Sequence, residues 1–116
     1  MDRLEQYRGI IEGLLTHYDQ LSRQSVESQA EDICVFDRQR DCYMWLQLGW
    51  QRGRRLCGPT ILVRLLDGKV LLEADWTDFG VADDLIAAGI AEEDLVLAFQ
   101  PPALRQSQES VLEMAR

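Results

Sequence analysis

The sequence has little of what catalytic chemistry usually needs. It holds one histidine and three cysteines, at positions 34, 42 and 57, with no Cys-x-x-Cys spacing. A structural zinc site takes four soft ligands at close spacing, and this set does not supply them. Three is an odd number of cysteines, and they read as free, half-buried thiols. His17 falls near the end of the first helical pattern, where a surface or helix-terminus role fits it. Three prolines and eight glycines exclude collagen-like and low-complexity classes. No apolar run approaches the roughly 18 residues that a membrane span requires. The N-terminus, Met1-Asp2-Arg3-Leu4-Glu5, has no apolar signal region and no small-residue cleavage site, so a soluble, cytoplasmic protein is expected. A phosphate-binding glycine loop, a zincin motif and a nucleophile elbow are all missing, and no cofactor is expected.

What is present is a chain of 116 residues, 47% of them hydrophobic, enough for one domain over 1–116 with a real core. The net charge is −8. The pI near 4.5 argues against autonomous binding to a nucleic-acid backbone. The charge is uneven: residues 1–37 carry −5, residues 38–64 carry +5 and residues 65–116 carry −8. The middle is an arginine island made of Arg38, Arg40, Arg52, Arg54, Arg55 and Arg64. It reads either as a basic loop paired with acidic neighbours or as a docking site for phosphate or an acidic partner.

Residues 2–22 carry the clearest helical pattern. Leu4, Tyr7, Ile11, Leu14, Tyr18 and Leu21 recur at steps of three and four, and Ile10 and Leu15 widen the stripe. The stripe packs on a sheet or, since it also fits heptad positions, on another helix. Gly9 and Gly13 weaken the helix and leave room for a second backbone. Residues 22–28 are polar and read as a connector. Alternation then predicts strands over 33–37 and 41–50. In the second, Met44, Leu46, Leu48 and Trp50 share one face, and Tyr43 and Trp45 the other.

Residues 51–53 contain a glycine and read as a hairpin turn. A third strand over 54–66 is interrupted at Gly58-Pro59, where proline cannot donate to a ladder, and that point reads as a bulge or an edge segment. Asp67-Gly68 is a two-residue hairpin turn that pairs Leu65 with Val70, Val63 with Leu72 and Ile61 with Ala74. Thr77 or Asp78 caps a short helix over 80–88, with Gly89 after its end and Ile90 as the apolar follower. Residues 95–99 form a short strand, and the tail from 103 has weak helical character and is expected to fray. The expected architecture is α+β: a long N-terminal helix packed on an antiparallel β-meander of four strands, then a short helix and a short last strand. Two helices cover one sheet face. The other, expected to carry Tyr43, Trp45, Leu62, Leu66 and Leu71, reads as an oligomer or partner surface.

The carboxylates between 75 and 94 form the densest acidic cluster, but caps and turns account for most of them. Asp67-Gly68-Lys69 superficially matches half of a metal-dependent nuclease motif, and the hairpin explains it better. No catalytic or metal constellation emerges.

One set of segments, taken in order, is specific. Leu4-Glu5-Gln6-Tyr7-Arg8 opens the helix. Gly49-Trp50-Gln51-Arg52-Gly53-Arg54-Arg55 forms a basic turn, and Asp67-Gly68-Lys69-Val70 a hairpin. Trp76-Thr77-Asp78-Phe79-Gly80-Val81-Ala82 leads to Leu85, Gly89-Ile90 and Glu93-Asp94-Leu95-Val96-Leu97-Ala98-Phe99. Together these resemble the fdxN element excision controlling factor family, the XisI-like proteins found chiefly in cyanobacteria. The likeness runs from about residue 2 to 105. Gln51-Arg52 stands where the family pattern has Asp-Asn, and Ala91 where it has proline. The resemblance implies a role in programmed excision of a DNA element, beside a site-specific recombinase and an XisH-like companion of nuclease-like fold. It brings no catalytic activity.

On that resemblance the expected function is that of a non-catalytic accessory factor. It binds a protein partner, the XisH-like companion, associates with DNA only indirectly, and forms a homo-oligomer. Arg52, Arg54 and Arg55 are the expected charge contacts, and Tyr43 and Trp45 the aromatic anchors. The alternatives are a DNA-binding recombination directionality factor and an antitoxin-like neutraliser of a nuclease-fold partner.

Overall fold

The computed structural model describes residues 2–24 and 30–101. The expected connector beyond residue 24 and the tail expected from 103 lie outside the described residues. The first helix, α1 (Arg3–Arg23), starts where Asp2 accepts a hydrogen bond from the Glu5 amide at 2.8 Å. That satisfies one of the amides a helix start leaves open. Tyr7, Ile11, Leu15 and Tyr18 form its buried line. The stripe is thus turned from the one expected: Leu15 replaces Leu14 at its centre, and Leu4 and Leu21 are exposed. It packs on the sheet. A side chain added at Gly9 or Gly13 would meet nothing within 4 Å, so no backbone of the described residues approaches either glycine.

The sheet comprises β1 (Glu31–Asp37), β2 (Cys42–Gln51), β3 (Arg54–Leu66), β4 (Lys69–Asp75) and β5 (Leu95–Leu97), in that spatial order. The first four form the expected antiparallel meander. After α2 (Val81–Ala88) and a 3₁₀ turn (Glu92–Asp94), β5 adds in parallel beside β4. The last strand therefore completes a five-stranded mixed sheet.

Asp67 and Gly68 take φ of 52° and 77°, the mirror-turn geometry that fits the twist of a hairpin. Leu65 faces Val70 and Val63 faces Leu72, as the turn dictates. One step on, the register slips. Ile61 faces Asp75 rather than Ala74, because Glu73 is an extra residue on β4. Its carboxylate accepts from Arg64 at 3.2 Å. A second bulge lies beside Pro59, one of the two readings that the missing proline donor left open. Trp45 faces Ile61, Leu46 faces Pro59, and Thr60 is the extra residue of a strand that continues unbroken. The Thr60 carbonyl instead accepts from the Trp76 amide at 2.9 Å.

The β2–β3 register sets which side chains meet the helices. Tyr43 faces Val63 and Trp45 faces Ile61, so both aromatics lie on the helix-covered face. They do not lie beside Leu62, Leu66 and Leu71, as alternation within β2 alone had suggested. The core consists of Tyr43, Trp45, Ile61, Val63, Leu65, Val70 and Leu72 from the sheet, closed by α1, Val81, Leu85 and Ile90. Its aromatics carry polar tips, and each tip finds a carboxylate. Tyr7 donates to Asp94 at 2.6 Å, Tyr18 to Asp84, Tyr43 to Asp41 at 2.9 Å, and the Trp45 indole to Asp19 at 3.3 Å.

The cap of α2 also departs from expectation. Thr77 accepts only from the Gly80 amide, just before the helix, at 3.3 Å. The first helical amide, Val81 N–H, goes to the Asp75 carboxylate at 3.0 Å, which also accepts from Thr77 N–H at 2.9 Å. At the other end, the Ile90 amide donates back to the Leu85 carbonyl at 3.0 Å, and Ile90 is buried as foreseen.

Candidate functional site

The arginine island divides in two. Arg38 makes a bidentate contact with Glu12 at 2.7 and 3.0 Å and reaches Glu5 at 3.1 Å. Arg40 pairs with Asp37, and Arg64 with Glu73. Arg8, from α1, holds Asp41 bidentately at 2.7 and 3.0 Å. That contact keeps the Asp41 carboxyl below its ordinary range, with Tyr43 assisting against the opposing effect of burial. The Arg38 and Arg8 contacts clamp the β1–β2 turn to α1, and the pairs of Arg38, Arg40 and Arg64 use up the charge of half the island.

The other half is presented outward. β1 follows β2 only as far as Leu48, so residues 49–56 form a two-stranded tip of β2 and β3 beyond the rest of the sheet. Arg52 and Gly53 make the turn, with φ of 52° and 75°. Arg52, Arg54 and Arg55 are exposed and have no ion-pair partner among the described residues. Every other described arginine, and Lys69, is paired with a carboxylate. Trp50 lies across the ladder from Arg55, whose guanidinium sits 5.5 Å from the indole centroid and donates to the Gly49 carbonyl at 3.3 Å.

Of the expected contact residues, the structure brings together the three arginines and removes the two aromatics. Tyr43 is fully buried and Trp45 nearly so, which leaves neither available as a surface anchor. Trp50, 56% exposed, is the aromatic that accompanies the arginines. Alternation along β2 had already placed it opposite Tyr43 and Trp45, and that was the signal for it. The arrangement suits planar, bidentate recognition of carboxylate or phosphate, beside a flat apolar ring.

The sheet face away from the helices carries Ile33, Met44, Leu46, Leu62 and Leu71, all partly exposed, with Arg64 and Glu73 among them. Among the described residues, no group of three or more His, Cys, Asp or Glu side chains could hold a metal ion. Cys34 donates its thiol to the Leu15 carbonyl at 3.6 Å, and burial pushes its pKa up, away from thiolate reactivity. No described helix is long and apolar enough to cross a membrane.

Comparison with known proteins agrees with this architecture. A XisI-like protein from Anabaena variabilis is 33% identical, with a TM-score of 0.80, over 90% of this chain and 94% of that one. The fdxN element excision controlling factor XisI from the same organism is 32% identical, with a TM-score of 0.75, over 90% of this chain and 99% of that one. No curated protein matches. The XisI protein family matches residues 1–111, and the chain belongs to that family.

Proposed function

We propose that this protein is a controlling factor in the programmed excision of a DNA element, acting through protein contact rather than catalysis. The family and the excision controlling factor of similar structure support the setting. The observation that carries the mode of action is the tip of the β2–β3 hairpin. It holds three arginines without ion-pair partners among the described residues, on a protein whose net charge is −8. The partner is an XisH-like companion that offers carboxylates and an apolar slot for Trp50. DNA association is indirect, through the recombinase.

Magnitude favours a protein over DNA as the contact. Three free arginines displace about three counterions, a log–log salt slope near −2.7, which is shallow for a duplex-binding protein. The acidic body around them repels phosphate as well. The test is capture of partners from the native cytoplasm after nuclease treatment, comparing the wild type with the variant Arg52→Asn, Arg54→Ala, Arg55→Ala. Asparagine at 52 tolerates the positive φ of that turn. Stoichiometric capture of a nuclease-fold or recombinase protein by the wild type, lost in the variant, is the expected result. Binding lost when DNA is digested would instead make the tip a DNA contact. Rescue of cells from a toxic nuclease on co-expression would point to a neutraliser.

The uncovered sheet face takes a second copy of the chain in this reading. Five strands about 4.8 Å apart, with lengths of 7, 10, 13, 7 and 3 residues, present a flat footprint of roughly 600 Å², somewhat under the roughly 800 Å² per partner of a standard interface. Its charge is self-complementary, because Arg64 and Glu73 exchange partners under a two-fold axis. Leu62→Glu is expected to shift the sedimentation coefficient to that of a monomer.

A further inference from the structure

Between the C-terminal end of α1 and the edge strand β1 lies a cleft of about 690 Å³, lined by Asp19, Ser22, Arg23, Ala30, Glu31, Asp32, Ile33 and Cys34. It is remote in function from the arginine tip and opposite to it in sign. Three carboxylates line it against one guanidinium, and that guanidinium is committed, Arg23 donating to Asp19 at 3.0 Å. Asp19 is further satisfied by the Trp45 indole. Asp32 differs. It is 8% exposed; its Oδ2 accepts from the Ser22 hydroxyl, while its Oδ1 is buried without a hydrogen-bond donor among the described residues. Glu31, on the rim, has no ion-pair partner among the described residues.

Three independent features therefore ask for a positive donor at one place. A buried carboxylate oxygen without a partner carries a desolvation cost that a cation removes. The negative pole of a 21-residue helix ends at the same wall. The excess of carboxylates makes the cleft attractive to cations before contact. The connecting segment 25–29, Ser-Val-Glu-Ser-Gln, contains no lysine or arginine, so the chain does not supply the cation from there. A divalent metal is not the fit, since no described group of three suitable ligands exists. Cys34 does not compete, because its thiol is turned to the Leu15 carbonyl.

We infer that this cleft binds a primary alkylammonium group, with the nitrogen on Asp32 Oδ1 and its chain lying in the cleft. The group is one borne by a lysine side chain of a partner polypeptide or by a free polyamine. The site is independent of the arginine tip, so it stands or falls separately from the reading above.

The experiment is a titration of the full chain with n-butylammonium, followed by amide NMR, with n-butanol as the neutral control of similar shape. Saturable shifts confined to residues 19, 22 and 31–34 are expected, absent with n-butanol and weakened at least tenfold in Asp32→Asn. Glu31→Lys, at an exposed position that leaves the fold intact, should weaken binding as well, whereas Ser22→Ala should retain it. Equal binding by Asp32→Asn, equal shifts with n-butanol, or tighter binding of magnesium at the same amides would overturn the site. Spermidine binding more tightly than an acetylated lysine amide identifies the polyamine as the source of the ammonium; the reverse order identifies the lysine side chain.

Discussion

The base and the tip of the β2–β3 hairpin are built on the same two strands and treat the same residue types in opposite ways. At the base, Tyr43 and Trp45 are buried against α1, and their polar atoms end on Asp41 and Asp19. At the tip, Trp50 is exposed and stacks only with Arg55. The arginines of the β1–β2 turn at the base are held by Glu5, Glu12 and Asp37, while Arg52, Arg54 and Arg55 are held by no carboxylate among the described residues. What separates the two regions is cover. Where α1 lies over the ladder, every aromatic and cation serves stability. Where the ladder runs past β1 and the helix, the same chemistry is left for another molecule.

That contrast is broken most sharply at the base. Ile61→Ala, at a fully buried position facing Trp45, is expected to cost about 2–5 kcal/mol in a urea unfolding curve. The triple variant at the tip is expected to move the same curve by less than about 1 kcal/mol, the worth of an exposed cation–π contact. Its partner binding should nevertheless fall at least tenfold. A large loss of stability at the tip would mean that its arginines support the fold.

Acid separates the regions further. Asp94 is held below its ordinary value by the Tyr7 hydroxyl first, then by Lys69 and Arg3, against the cost of burial, and Asp41 is held down by Arg8. Both carboxyls titrate lower in the folded protein than in the unfolded chain. Their stabilisation is therefore complete above the ordinary value of 3.8 and is lost as pH falls through the lowered folded values. Asp94→Asn should be less stable at neutral pH and show a shallower decline in melting temperature below about pH 4. The tip variant, which alters no carboxylate, should retain the wild-type acid profile. The smallest effects are gains: Gly9→Ala and Gly13→Ala, each facing open space, should add up to about 1 kcal/mol apiece.

Much of the fold was legible because short-range chemistry dictates it. Asp67-Gly68 demanded a mirror turn, Pro59 pointed to a bulge or an edge, and the steps of three and four through Tyr7, Ile11 and Tyr18 demanded a buried helix face. The positions of Tyr43 and Trp45 were not legible, because both faces of β2 are apolar and a period of two names faces without saying which one a helix will cover. The Glu73 bulge shifts a register by one residue, and no turn motif or proline announces it. Asp75 as the cap of α2 escaped notice because its carboxylate reaches the Val81 amide from six residues upstream, outside the usual spacing. The arginines of the site were visible as a charge island. Which three of its six members stay unpaired depended on acids from α1 and the neighbouring strands, brought close only by the fold.

The Tyr7 hydroxyl donates to Asp94 and accepts from the Ala91 amide at 3.1 Å, while Lys69 and Arg3 converge on the same carboxylate. One knot thus joins the first helix, the start of β4 and the turn before the last strand. During synthesis the helix leaves the ribosome early and must wait for residue 94 before its tyrosine finds both partners. Until then a nascent chain carries a helix whose apolar face is made but unsealed. A ribosome paused before that point holds a product that any protease or chaperone can still read as unfinished.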